Sequence, residues 1–350
     1  MVIKEVPVGT LRIKAHDLRV YEKTQKSWKL SSNKLSNALQ TIHLFDGHKE
    51  FDTLIDQKNP RFMKGMLLPN GKTSGARVNI LPNGETLEKA YSLFAPNLKI
   101  HDQDSHDHWD VLYKNAGGTF SYVYTLEKRA AHRKQKYKKV ERFDKVHMKL
   151  LTNVKSALRN KSDTMAVPMY TLLTTHMRIG NETYYKTHNH KGLTTLKKED
   201  ISVKGKNVMF NYVGKDGVPI QINKRFGDDY VKRLKGALKA TKKGEFVFRN
   251  KRTGHPLGDV YFRKAFKRYC GQEFYPHIVR SHFATSQVKS FLSANRKPAK
   301  SVMKEFLFSV ANELGHKKFS KKNQAWEDSY AVTLNSYVHP EYIKKVRKFL

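Results

Sequence analysis

Three cations and a histidine stand where packing alone does not ask for them. Arg178 closes the mostly apolar run DTMAVPMYTLLTTHMRIG (163–180). A guanidinium at the end of an apolar helix has two uses: it can answer the helix dipole, or it can fork onto an anion. Lys215 lies in Gly214-Lys215-Asp216-Gly217, where Asp-Gly reads as a hairpin turn, so its ammonium reaches outward from a tip. His277 and Arg280 are three apart in PHIVRSHFATSQVKSFL and share a face if that segment is helical. A second group is the run FSYVYTLEKRAAHRKQKYKKVERFDKVHMKLL (120–151), where Arg129, Arg133, Lys134, Lys136, Lys138 and Lys139 crowd around Tyr137. Cations interleaved with an aromatic suit a surface that tracks a polyanionic backbone, although any one of them also suits a solvated helix face. HDQDSHDHWD (101–110) concentrates metal-ligand types, but without helical spacing it reads better as a polar loop than as a metal site.

Composition names the anion. Lys and Arg total 67 against 31 Asp and Glu in 350 residues, a net charge of +36. A positive charge that large asks for a polyanionic partner, and nucleic acid comes first because neutralising phosphates releases counterions. A membrane surface comes second, without a basic amphipathic anchor to support it. The one cysteine, Cys270, excludes an internal disulfide and a thiolate metal cluster, and reads as a small apolar side chain. The N-terminal MVIKEVPVGTLRIK is charged too early for a secretory signal, and no apolar run approaches a membrane span. The expectation is a chain that works inside the cell, associated with DNA.

Elements must position these groups. Residues 1 to about 100 mix short apolar alternations with turns, LPNGK (68–72) and LPNGE (81–85) among them, and predict a small mixed or β-rich domain. The run at 120–151 starts strand-like and turns basic. The stretch 163–180 predicts a buried helix ending near Gly180. Ile201 and Val203, then Val208, Phe210 and Tyr212, then Val218, Ile220 and Ile222 alternate between turns and predict a three-stranded β-meander with Lys215 at its second turn. Helices follow, with core stripes Val231/Leu234/Leu238, Tyr261/Ala265/Tyr269 and Val302/Phe306/Val310, and Gly315 as a C-cap. KKFSKKNQAWEDSYAVTLN (317–335) lacks periodicity and reads as a loop, or a loop with a short helix near Trp326. A last helix is predicted over Glu341–Leu350. The class is α+β: a small mixed or β-rich N-terminal domain, then a mostly α-helical catalytic domain with a three-stranded β-meander.

RIGNETYYKTHNHKGLTTLKKEDI (178–201) resembles the signature of type IB DNA topoisomerases of the small poxvirus and bacterial kind. VGKDG (213–217), HIVRSHFAT (277–285), LGH (314–316) and SYVHP (336–340) follow in the family order. The resemblance covers about 145 to 350 and is suggestive over 120–140. It implies DNA relaxation through a 3′-phosphotyrosyl intermediate, strand swivelling and religation, with neither metal nor ATP and no cofactor. Residue by residue, it implies Tyr337 as nucleophile, Arg178 and Arg280 bracing the phosphate, His316 donating to a non-bridging oxygen, Lys215 protonating the leaving 5′ oxygen, and Tyr184 on DNA. Arg133, Lys134, Lys136 and Tyr137 are the candidate DNA contacts of the basic run. The implied organisation is a DNA-clamping domain over 1–140, with a basic connector near 120–140, and a catalytic domain over 141–350. It would act as a monomer clamped around double-stranded DNA.

The chemistry asks for such groups independently. Attack on a phosphodiester builds charge on its equatorial oxygens, which fixed guanidiniums and donors can meet. A 5′ alkoxide is a poor leaving group and needs a general acid. Two departures stand out. Twenty-one positions separate His316 from Tyr337, more than the family pattern, which implies an insertion and makes Tyr330 a competing nucleophile. His277 occupies a position where the family carries Lys, and His-x-x-Arg is the tyrosine-recombinase form, so His277 is a further catalytic candidate. A tyrosine recombinase with the same chemistry, or a DNA-binding protein that kept the fold without catalysis, are the rival readings.

Overall fold

A computed structural model describes residues 5–101, 109–115 and 118–350. Most of the His/Asp-rich stretch, residues 102–108, lies outside the described residues. The chain divides into two compact units, residues 1–135 and 136–350.

The first unit is built from short antiparallel strands. β1 (Leu11–Ile13), β2 (Val20–Lys23), β3 (Trp28–Leu30), β4 (Met66–Leu67) and β5 (Thr73–Ser74) form a sheet in the order β3-β2-β1-β4-β5, with helix α1 (Ser36–Gly47) between β3 and β4 in the chain. β6 (Val78–Ile80) pairs with β7 (Thr86–Tyr91), and β8 (Lys99–Ile100), β9 (Val111–Lys114) and β10 (Phe120–Val123) form a third sheet. Both Pro-Asn-Gly repeats make the same turn. Leu68 N donates to Lys72 O and Leu81 N to Glu85 O, with Gly71 and Gly84 at positive φ. The mixed, β-rich expectation for this region holds.

The second unit is mostly helical. Helix α2 (Leu126–Ala157) carries the basic run and buries Tyr137, Val140, Phe143, Leu150 and Val154. α3 (Ala166–Thr175) and α4 (Glu182–His188) lead to the predicted meander: β11 (Ile201–Lys204), β12 (Asn207–Val213) and β13 (Pro219–Arg225), in register Val208↔Val203 and Phe210↔Ile222. α5 (Asp228–Lys239), α6 (Asp259–Cys270), α7 (Ile278–Ala294) and α8 (Lys300–Glu313) follow, then β14 (Lys317–Ser320), β15 (Ala325–Asp328), α9 (Ala331–Ser336) and α10 (Pro340–Arg347). Helix ends carry their chemistry: Asn181 accepts from Tyr184 N to cap α4, and Gly271 ends α6 at φ +80°. Cys270 is buried, its thiol donating to Phe266 O at 3.1 Å. Among the described residues no helix is long and apolar enough to cross a membrane.

Four expectations are corrected. The apolar helix stops at Thr175 instead of running to Gly180, because His176 turns left-handed (φ 55°) and the chain leaves the helix there. The 317–335 segment is a β-hairpin followed by α9. Its strands pair Lys317↔Asp328 and Phe319↔Trp326, so the side chains that look aperiodic along the chain are matched across it. The last helix starts one residue earlier, at Pro340 as N1, and ends at Arg347. Two stripes are rotated: Tyr261 and Val302 are exposed, while Phe262 and Phe266 on α6 and Met303 and Leu307 on α8 face the core.

Candidate active site

Two glycines let the Arg178 segment and the GLTT segment touch. Leu193 N donates to Arg178 O at 2.8 Å and Thr194 N to Ile179 O at 2.6 Å. A Cβ on Gly192 would stand 2.5 Å from Gly180 N and 2.6 Å from Arg178 O, so only hydrogen fits. The left-handed stop at His176 frees its carbonyl, which accepts from Arg280 Nη1 at 2.6 Å. Arg178 leaves this contact half-buried and donates through Nη2 to the Tyr337 hydroxyl at 3.2 Å.

The Leu-Gly-His segment is a helix end used as a bracket. Gly315 N donates to Asn312 O and His316 N to Ala311 O at 2.9 Å, the paired bonds of a Schellman end, with Gly315 at φ +64°. A Cβ there would strike Ile220 Cδ1 of β13 at 2.5 Å. The Leu314 carbonyl, left over by the helix, accepts from Arg280 Nη2 at 2.8 Å, and the same nitrogen donates to His316 Nε2 at 2.9 Å. His316 Nδ1 lies 2.7 Å from Thr333 Oγ1.

Tyr337 is seated by three elements. Its N–H donates to Thr333 O on α9, and its carbonyl accepts from Thr285 Oγ1 of α7 at 3.2 Å. Its ring centroid lies 4.7 Å from that of His316 and 5.1 Å from that of His277, which sits at the start of α7. Arg280 and Lys136 each lie 5.3 Å from the ring centroid, and Lys136 Nζ also donates to Ser336 O. The hairpin β14–β15 and α9 fill the long interval after His316. Tyr330 packs on Phe308 and caps α9, without a hydrogen bond to either arginine.

Lys215 sits between β12 and β13 in a turn where Asp216 and Gly217 take positive φ. Its side chain is exposed, with no ion-pair partner among the described residues. It lines a cleft of about 480 Å³ together with Arg178, Arg280, Lys191, Lys317 and Asp328. Tyr337 is not on that wall: it is 4% exposed, and Arg178, which lines the cleft, bonds its hydroxyl.

Burial and crowded charge shape the titration. Desolvation of its ring, then the charges of Arg280, Arg178, Lys136 and Lys215, lowers His277, although the residue keeps an exposed edge. His316 falls to about 2 through burial, then Arg280, Arg178 and His277. Burial and Arg178 bring Arg280 down to about 10, against the opposing pull of Tyr337. Both histidines are therefore neutral near pH 7.

The structure thus gathers Arg178, Arg280, His277, His316 and Tyr337 into one cluster with Lys215 at its cleft. Arg133 and Lys134 are exposed on α2, and Tyr184 is 42% exposed on α4. Tyr137 is a correction: it is 3% exposed and bonds Ser336 O, because its position on α2 points into the core and not to a nucleic-acid surface. Lys136 stands against the tyrosine ring. Thr285 and Thr333 went unnoticed in the sequence. Thr333 is four residues before Tyr337 and so shares its helix face, the one signal that could have found it.

Residues 126–339 match the family model described as the eukaryotic DNA topoisomerase I catalytic core. No curated protein matches. Among solved structures, the pre-cleavage complex of the XerH site-specific recombinase with its difH substrate aligns at TM-score 0.33 and 18% identity, over 48% of this chain and 44% of that one. The XerH post-cleavage complex on palindromic difH aligns at 0.36 and 17%, over 57% and 50%. The Tn1549 transposon integrase with circular intermediate DNA aligns at 0.25 and 14%, over 48% and 61%. The chain spans about half the length of the recombinases it matches.

Proposed function

The chain belongs to the family of the eukaryotic DNA topoisomerase I catalytic core, and from that premise we propose that it relaxes supercoiled duplex DNA through Tyr337, with neither metal nor ATP. Membership brings the chemistry of breaking and rejoining DNA. The observation that carries the finer reading is the 3.2 Å hydrogen bond from Arg178 to the Tyr337 hydroxyl, within a cluster that also holds Arg280, His277 and His316.

In this reading the Tyr337 oxygen attacks phosphorus and its proton passes to water. The P–O5′ bond breaks, its electron pair stays on O5′, and O5′ takes a proton from Lys215. Arg178 and Arg280 meet the charge that builds on the non-bridging oxygens, and His316 donates to one of them. The phosphotyrosyl ester keeps the bond energy, so attack by O5′ reverses the step once the free strand has swivelled. Residues 1–140 hold the duplex, with Arg133, Lys134 and Tyr184 on DNA, and a single chain suffices.

The test is a supercoiled plasmid in EDTA without nucleotide, at a concentration where the chain is monomeric. Wild type relaxes it and forms a covalent adduct whose peptide maps to Tyr337. Tyr337→Phe binds DNA but does neither. An adduct on Tyr330, or relaxation by Tyr337→Phe, would overturn the assignment. One observation favours strand exchange instead: His277 opens α7 three residues before Arg280 and packs on Tyr337. Recombination between two defined sites without plasmid relaxation would select that reading.

A further inference from the structure

His316 is held at both ring nitrogens. A guanidinium N–H only donates, so the 2.9 Å contact from Arg280 Nη2 means that Nε2 presents its lone pair. A neutral imidazole carries one N–H, which therefore sits on Nδ1 and is donated to Thr333 Oγ1 at 2.7 Å. Burial and the two arginines hold the ring neutral, so the question here is which nitrogen carries the hydrogen, not whether a second one is added. Thr333 is fully buried, and its carbonyl accepts from Tyr337 N at 3.0 Å and Val338 N at 3.2 Å. One residue is thus bonded to the histidine by its side chain and to the tyrosine by its backbone.

That tautomer cannot serve a phosphate. A non-bridging oxygen offers only lone pairs, so His316 can bond it through Nε2 only when Nε2 carries the hydrogen. A hydroxyl, unlike a carbonyl or an ammonium, can both accept and donate. We propose that Thr333 is the positioning residue that sets the His316 tautomer, accepting from Nδ1–H in the free protein and donating to Nδ1 on DNA, so that Nε2–H faces the phosphate. The proton count balances: one hydrogen leaves Nδ1 to water, one reaches Nε2 from water, and the ring stays neutral. Arg280, released from Nε2, turns its fork to the same phosphate. The inference rests on His316 acting at the phosphate, as in the reading above.

The test compares Thr333→Val, Thr333→Ser, His316→Ala and the Thr333→Val/His316→Ala double variant in single-turnover cleavage, with DNA affinity measured alongside. Thr333→Val keeps the shape without the hydroxyl and should cleave slower by on the order of 10²-fold, the scale of losing one oriented donor. Its DNA affinity should not change. Thr333→Ser should recover most of the rate, and the double variant should be no slower than His316→Ala. Nitrogen-15 shifts of His316 should report a lone pair on Nε2 in the free protein and on Nδ1 in a Tyr337→Phe complex with DNA. Wild-type cleavage by Thr333→Val, or a further slowing in the His316→Ala background, overturns the role of Thr333. Wild-type cleavage by His316→Ala overturns the reading of His316 itself, and this proposal with it.

Discussion

Burial and the neighbouring guanidiniums hold His316 neutral, and that coupling is measurable in stability. His316 titrates near 2 in the folded chain, against about 6.5 in an unfolded one. Between those values the unfolded chain holds more protons, so stability is fully present above about pH 6.5 and falls as the solution is acidified toward about 2. That ring should remove up to about 1.4 kcal/mol per pH unit across that window. Urea midpoints from pH 7 to pH 4 should therefore drop less steeply for His316→Asn than for wild type. Parallel slopes would mean that His316 is not a buried neutral ring. Arg178, Lys215 and the pair His277/Arg280 were legible as residues because each is a polar group in a place that needs explaining. His316 and Tyr337 were legible only through the family order of motifs. Thr333 was not, since a threonine in an aperiodic stretch gives no signal until a histidine is seen against it.

Elements were legible where periodicity or turn chemistry is local. The meander announced itself by alternation broken at Gly205 and at Asp216-Gly217, and those residues do take positive φ. The stop of α3 was not legible, because apolar Met177 and Ile179 continue the pattern past it. The contacts that end the helix come from Gly192 and Arg280, far along the chain. The 317–328 hairpin was hidden for a related reason: lysine and acid fill half of its strand positions and break the apolar alternation. The backbone contact at Gly192 yields the prediction at this scale. Gly192→Ala puts a Cβ against Gly180 and Arg178 backbone, atoms that cannot step aside, and overpacking of this kind costs about 1–3 kcal/mol. The variant should melt lower and cleave more slowly, since the segment that aims Arg178 must shift. Ala at Gly227, where nothing lies within 4 Å, is the control and should do neither.

For the whole molecule the governing quantity is the net charge of +36. Each phosphate neutralised contributes about 0.9 to the slope of log affinity against log salt, so binding should weaken by roughly 10³-fold or more between 50 and 200 mM salt. Replacing Arg133 and Lys134 by Ala should flatten that slope by about 1.8 if both touch phosphates, and leave it alone if they only face solvent. Filter-binding or anisotropy titrations across salt decide between the two. Composition alone sets the sign and size of this field. The single thiol adds an experimental opportunity at the same scale. Cys270 is tucked under its own helix, with Sγ spent on a carbonyl. A maleimide dye would thus find only engineered cysteines. One placed at the Asn70-Gly71 turn of the first unit and another at Asn323 on the hairpin of the second would make a fluorescence ruler, able to follow the two units in real time as DNA arrives and departs.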